Sequence, residues 1–428
     1  MVLPFPGAIK LKLQDECVGR IAAAHVASCG YDVSTSSGPL LGEHVLPLCY
    51  PTPKQQSDQG VIGRSIWDAY QRLQGDGFPT LLPASLAFYE DESSIRDAVC
   101  RGEYWAAVYS NRFASKGLAS ALENGSRVPT SLTFVWNGVR YPVFSQAAIY
   151  ANFLRLIEDT RSLYYSNNGS AVVGFANLSD PTTLQAFLDP IHSQEINIKK
   201  TEHGARVFYN TVSMAMPIIH QFFFVLALNG ISSHFGAFSK IPWRTNGIIR
   251  LIASLLYTLV GGLLMTSYLR AYKEDWSLNG SEFVLTWMIL WFLMHINFLF
   301  FDVATAVIPI QFMPFVVLTW VILNIASTIS PFEINPGFFR WGYALPSHEA
   351  YQILIQIWSG GCNNRLYQAL PVMFAWWVVM MPAAVYGMHY RCKAAIKDTD
   401  HINQNPNTDI QRLEHKAGKG AQEPATAE

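Results

Sequence analysis

Five apolar runs, each long enough to cross a bilayer, lie between Arg206 and Arg391. A helix that spans the hydrocarbon needs about 20 mostly apolar residues. The runs centre on "VSMAMPIIHQFFFVLALNGI", "LIASLLYTLVGGLLMTSYL", "FVLTWMILWFLMHINFLFF", "IQFMPFVVLTWVILNIAST" and "LYQALPVMFAWWVVMMPAAVYGMHY". One such run fits a buried core helix. Five in succession exceed what a soluble core holds. The charge distribution agrees: charged residues make up 14% of the chain, against about 25% in an average soluble domain, and they concentrate before 206 and after 390. Spans are expected at about 212–231, 250–269, 283–302, 306–328 and 367–388, with the third–fourth boundary somewhere in 302–311.

Lys and Arg placement orients them. Lys240, Arg244 and Arg250 follow the first span, and Arg391, Lys393 and Lys397 follow the last. Both sides are therefore expected to be cytoplasmic, which puts 58–205, the 270–282 loop and 331–365 outside. Arg270 and Lys273 in that loop count mildly against this, with Glu274 and Asp275 beside them. The N-x-[ST] acceptors Asn124, Asn168, Asn177 and Asn279, candidate glycosylation sites, all fall in segments expected outside.

Residues 58–205 read as an extracytoplasmic α/β domain. Helical spacing appears in "VIGRSIWDAYQRL" (61–73), "ESSIRDAVCRG" (92–102), "SKGLASALENG" (115–125) and the long "FSQAAIYANFLRLIEDTRSLYY" (144–165). "EYWAAVYS" (103–110) and "SLTFVWNG" (131–138) read as strands. "DQGVIG" (58–63) superficially resembles a phosphate loop but lacks the preceding strand and the full glycine set; a turn into a helix is expected. Residues 1–57 contain no span, since "IAAAHVASCG" is too short. The polar tail, 391–428, is expected to be disordered. The fold class is thus an α-helical transmembrane bundle with an extracytoplasmic α/β domain.

Several blocks taken together carry a family resemblance: "DQGVIGRSIWDAY", "AVCRGEYWAAVYS", "QFFFVLALNGI", "RWGYALPSHEAYQILIQIWSGG" and "ALPVMFAWWVV". From about 58 to 392 the chain resembles the fungal nitrosoguanidine-resistance proteins, built around a domain of unknown function. Their layout is similar to type-2 ABC exporter permeases: one span, an outer domain, then five more spans. The resemblance implies a membrane protein linked to resistance against a toxic alkylating compound, by export. It implies no catalytic residues. The family would place a first span before the outer domain, so the sixth, N-terminal span is missing either through a truncated or mis-assembled start, which is expected, or because a five-span form exists.

Ionisable and polar groups inside spans are functional candidates by default. The set is His220, Gln221, Asn229, His295, Asn297 and Asp302. His295 and Asp302, seven residues apart, share a helix face. They fit either a polar stripe lining a pathway or interhelical hydrogen bonding with Asp302 in a turn at the membrane edge; the second is expected. No GxxxxGK[ST], GxSxG or His/Cys cluster at ligand spacing occurs. Neither an enzyme nor a bound cofactor or metal is expected. The expected partners are the lipid bilayer and either a second copy or a separate energising subunit. A net charge of −1 gives no nucleic-acid footprint. Cys100 and Cys362 would share an oxidising compartment. That allows a disulfide or two separate buried thiols, and the thiols are expected.

The stretch "RWGYALPSHEAYQILIQIWSGGCNN" sets His348 beside Glu349, but Gln352 stands where a zinc-protease helix needs its second histidine. A helix over 348–358 is expected, capped by Ser347 and stopped by Gly360-Gly361. Glu349, Gln352 and Gln356 would share its polar face, and Arg340, Trp341 and Tyr343 would mark a headgroup boundary. This reads as an amphipathic helix on the outer surface or a re-entrant hairpin feeding the last span.

Overall fold

The computed structural model describes residues 48–51, 60–75, 77–84, 91–201, 208–273 and 276–404. The readings of residues 1–47, of 52–59 and of the tail beyond 404 lie outside them. The chain divides into two units. The first takes the chain up to Met214 together with Leu269–Thr286 and Leu323–Ala369; the second takes Ala215–Tyr268, Trp287–Ile322 and the chain from Leu370.

The first unit begins β1 (Leu48–Pro51), α1 (Val61–Leu73), β2 (Leu81–Ala84), α2 (Glu92–Arg101), β3 (Ala106–Ser110), α3 (Ala114–Asn124) and β4 (Thr130–Trp136). A π turn (Ser145–Tyr150) then leads into α4 (Ala151–Phe175), followed by α5 (Pro181–Leu188) and β5 (His192–Asn197). The strands form one mixed sheet in the order β2-β1-β3-β4-β5. β3 and β4 are antiparallel and the other neighbours parallel. Alternation along β4 shows how the sequence builds both faces, because successive side chains point to opposite sides. Phe134 and Trp136 pack on Tyr150, and Phe134 also on Phe153. Val135, pointing the other way, packs with Ala107 of β3 and with Ile95 and Val99 of α2.

Local signals set the helix ends. The Asp91 carboxylate accepts from Ser94 N at 2.9 Å and caps α2, and Gly102 ends it at φ 78°. Gly125 ends α3 at φ 66°. Both positive φ values favour glycine. The helix expected over 144–165 runs on to Phe175. α5 and β5 were not expected, since their short polar sequences carry no strong period.

Among the described residues, five helices are long and apolar enough to cross a membrane: Tyr209–His234, Trp243–Ala271, Gly280–Val307, Ile310–Ile329 and Leu366–Thr399. Their regular parts are α6 (Ser213–His234), α7 (Trp243–Ala271), α8 (Gly280–Val307), α9 (Met313–Ile329) and, after α10 (Pro346–Trp358), α11 (Leu366–Gln404). Three boundaries differ from the sequence reading. α7 begins seven residues before Arg250, and α8 continues past Asp302 to Val307. α11 continues through 391–404, where a disordered tail was expected.

α7 explains how the bundle packs. Ile248, Ile252, Leu256, Val260 and Leu264 recur at i+4 and are all more than half exposed, as a lipid-facing stripe would be. The interleaved stripe Asn246, Arg250, Ser254, Thr258 and Thr266 is buried. Ser254, Thr258 and Thr266 return their hydroxyls to carbonyls of their own helix. A Cβ on Gly262 would lie 3.0 Å from the backbone N of Trp291, so α7 and α8 approach closely there. Small and hydroxyl residues at helix contacts are the membrane pattern, where burying apolar surface gives no advantage over lipid. α8 is the central helix: every residue from Leu293 to Leu299 is buried.

The segment after α9 corrects the amphipathic reading. α10 is buried on both faces: Ser347 and Ala350 are fully covered, His348 is 1% exposed, Glu349 6% and Gln352 4%. Its cap is Leu345 with Pro346 in the first turn, and the Ser347 hydroxyl has no partner among the described residues. The polar face is buried because the first unit supplies partners for it. Gln352 Nε2 donates to Tyr141 Oη at 2.8 Å, and Gln352 Oε1 accepts from Asn363 Nδ2 at 2.8 Å. Tyr351 Oη accepts from Tyr141 N at 3.1 Å and donates to Val139 O at 3.0 Å. Cys100 and Cys362 form a disulfide rather than two thiols, and Asn363 N donates to Cys100 O at 2.7 Å. Tyr141 (φ 51°) and Asn363 (φ 62°) both hold left-handed backbone within this network, a strained conformation that persists only where surrounding contacts fix it.

Candidate functional site

The second unit buries a charged cluster drawn from four spans. Asp302 sits on α8, five residues before the helix ends, which is about 7.5 Å at about 1.5 Å per residue. It is 4% exposed. Arg250 of α7 reaches its Oδ1 with Nε at 2.9 Å and Nη2 at 2.6 Å. Arg391 of α11 reaches the same oxygen with Nη1 at 2.8 Å and also donates to the Asp302 carbonyl. Asn229 of α6 closes the ring. Its Oδ1 accepts from Arg250 Nη2 at 2.6 Å, and its Nδ2 donates to Thr305 Oγ1 at 3.2 Å. Thr305 Oγ1 also accepts from Arg391 Nη2 at 2.8 Å.

Two guanidiniums against one carboxylate leave the cluster one positive charge in excess. Arg250 is 4% exposed, and its Nη1 has no partner among the described residues. A cavity of about 350 Å³ adjoins it, lined by Arg250, Asp302 and mostly apolar residues of α7, α8 and α11. Asp302 therefore makes the expected interhelical hydrogen bonds, but from within a helix rather than a turn. It is helical and charge-paired, and three guanidinium N–H groups already occupy its oxygen.

The other predicted residues divide into partnered and orphaned. His220 Nε2 lies 2.7 Å from Tyr257 Oη. Asn297 Oδ1 accepts from Trp320 Nε1 at 2.8 Å, and its Nδ2 donates to Leu293 O. Gln221 (0% exposed) and His295 (2%) have no side-chain hydrogen-bond partner among the described residues, although the His295 ring stacks on Phe298. The structure brings Asn229 and Asp302 together. It adds Arg250, Thr305 and Arg391, which the sequence reading missed by treating both arginines as loop charges. The signal for Arg250 was present: it stands in phase with the small-residue stripe of α7, on the face that packs.

In the first unit, Arg340 and Trp341 are exposed, whereas Tyr343 is half-buried against Phe332 and His348. Asn124, Asn177 and Asn279 are exposed; Asn168 is half-buried, and its amide donates to Tyr164 O. Arg365 Nη2 pairs with Glu333 at 3.1 Å. His348 Nδ1 lies 2.9 Å from Ser327 O, and burial depresses its pKa to about 4.

Burial raises Glu349 to about 7, opposed by the Arg365 charge. The fold therefore favours the protonated carboxyl, and the unfolded chain gives up that proton nearer 4.5. Stability contributed by this group is present below about 4.5 and is lost as pH rises to about 7. Glu349→Gln removes the titration. Its thermal midpoint should exceed the parent's at pH 8 and match it at pH 4.5. Equal differences at both pH values would contradict this assignment.

These features define a multi-pass helical membrane protein with a mixed α/β unit. The family described as "Protein of unknown function (DUF3533)" matches residues 52–382, and the chain belongs to it. An uncharacterized endoplasmic reticulum membrane protein of Saccharomyces cerevisiae, YJR015W, is 29% identical over 121 residues. The match covers 27% of this chain and 24% of the yeast protein. No solved structure matches.

Proposed function

We propose that this chain is a permease-like, non-enzymatic membrane protein that contributes to resistance against toxic compounds by moving an amphipathic compound out of the cell. Its sequence blocks resemble the nitrosoguanidine-resistance proteins, which supports the resistance reading. In this reading the first unit faces outside, with sugars on Asn124, Asn168, Asn177 and Asn279, and the plasma membrane is the site of action. Energy would come from a partner subunit or an ion gradient.

The observation that carries the reading is the orphaned pair of polar side chains in the bundle. Gln221 on α6 and His295 on α8 are buried yet lack side-chain hydrogen-bond partners among the described residues. Unbonded polar groups are costly away from water. A polar guest or water passing them would satisfy both.

The test is transport by the purified full chain in vesicles under an imposed proton gradient, with a nitrosoguanidine as probe. His295→Ala should abolish movement and lower the tolerated concentration in cells at unchanged protein abundance. No movement by the purified parent under any imposed gradient would sink direct export.

A second reading, a non-transporting protein that organises lipids or partner complexes, is favoured by the cross-helix pairing of His220, Asn229, Asn297 and Asp302. Fixed bonds of that kind suit a static bundle. Unaltered resistance in His295→Ala would favour it.

A further inference from the structure

We propose that the cavity beside Arg250 is a binding site for an anionic phospholipid, with one acyl chain along its apolar walls. Shape and charge both lead there. The walls come from Gly247 and Leu251 of α7, Phe298 of α8, and Met381, Ala384 and Met388 of α11. Ile248 and Val385, also in its lining, are each more than half exposed. The cavity therefore opens towards the side where lipid chains run. Its volume of about 350 Å³ is within the range of small-molecule sites.

The cationic groups lie at two depths. Arg250 Nη1 is a buried guanidinium nitrogen with no hydrogen-bond partner among the described residues, and it belongs to a side chain of the cavity lining. Arg244, also in the lining, is exposed in the first turn of α7, six residues earlier and so about 9 Å nearer the helix end. A second cavity of about 430 Å³ meets the first at Trp243 and carries Lys240 and Lys393. The phosphate and its acidic headgroup would meet Arg244, Lys240 and Lys393, with the buried Arg250 charge beneath them adding attraction.

Asp302 does not cancel this attraction, since it is shared by Arg250 and Arg391 and leaves one positive charge over. The complementary ligand is therefore anionic at one end and apolar at the other. Neither Gln221 nor His295 lines this cavity, so the assignment does not rest on export.

The test uses the full chain purified in detergent. Its thermal midpoint is measured with added phosphatidylserine, with phosphatidylcholine of the same acyl chains, and with inorganic phosphate. Phosphatidylserine alone should raise the midpoint, saturably. Gly247→Leu would fill the cavity: a Cβ there meets only Met388 Cγ, at 3.9 Å, and leucine favours helix over glycine. This variant should fold as the parent does and need at least about tenfold more phosphatidylserine for the same shift. Arg244→Gln, on an exposed side chain, should weaken the shift without altering the lipid-free midpoint. Equal shifts with both lipids, or an undiminished shift in Gly247→Leu, would overturn the proposal. A shift reproduced by inorganic phosphate would make this an anion site and overturn the lipid assignment.

Discussion

Asp302→Ala is expected to be the most damaging single substitution in the bundle. It removes the only carboxylate that Arg250 and Arg391 share among the described residues and leaves Arg250 charged at 4% exposure. Breaking a buried ion pair from one side costs about 3–5 kcal/mol, because the surviving charge stays buried without compensation. Most of that penalty falls on Arg250. Arg391 is the less buried of the two, its side chain 10% exposed against 4% for Arg250, and removing it leaves Arg250 and Asp302 as a neutral pair. Two variants separate these contributions: Arg391→Gln should cost little, whereas Asp302→Ala should lose most of its folded yield in detergent. Adding Arg250→Met to Asp302→Ala should recover part of that loss, since the double variant buries no unpaired guanidinium at that position. Thermal unfolding of the parent, Asp302→Ala, Arg250→Met and the double variant supplies the cycle. A purely additive result would mean that Arg250 and Asp302 are not coupled.

The second large effect is expected in the first unit. Cys100 and Cys362 are 262 residues apart in sequence, so their bond closes a long loop in the unfolded chain. Losing such a bond typically costs about 2–5 kcal/mol. Cys362→Ser should lower the thermal midpoint of the purified protein and make it insensitive to reductant, while the parent falls to a similar value once reduced. The loss should be greater than for a disulfide between mobile loops. The same locus holds Asn363 in left-handed backbone, its N–H on Cys100 O and its amide on Gln352. An unchanged midpoint in Cys362→Ser would show that these hydrogen bonds hold the segment without the covalent link.

The spans were readable because hydropathy is summed over some twenty residues and survives local exceptions. The helix stops at Gly102 and Gly125 were readable because left-handed backbone selects glycine. The charged cluster was not. Its members come from four helices, and nothing local to Arg391 or Asn229 says that Asp302 lies beside them. Arg250 was misplaced for a related reason: an arginine at the edge of a hydropathy window looks like a loop charge, and only the phase of the residues after it puts it on the buried face. α10 misled in the opposite direction. Glu349, Gln352 and Gln356 do fall on one face, as periodicity requires, but periodicity reports the shape of a helix and not what covers it. The first unit covers that face with Tyr141 and Asn363, more than two hundred residues before it and about ten after it in the chain.

The proposed reading rests on the first unit facing an oxidising compartment. It is tested most directly by the state of Cys100 and Cys362 in protein extracted from cell membranes without reductant and with free thiols blocked at lysis. Proteolysis and mass spectrometry should recover a Cys100–Cys362 linked pair, with Cys392 carrying the blocking group. Recovery of Cys100 and Cys362 as blocked free thiols would contradict the account.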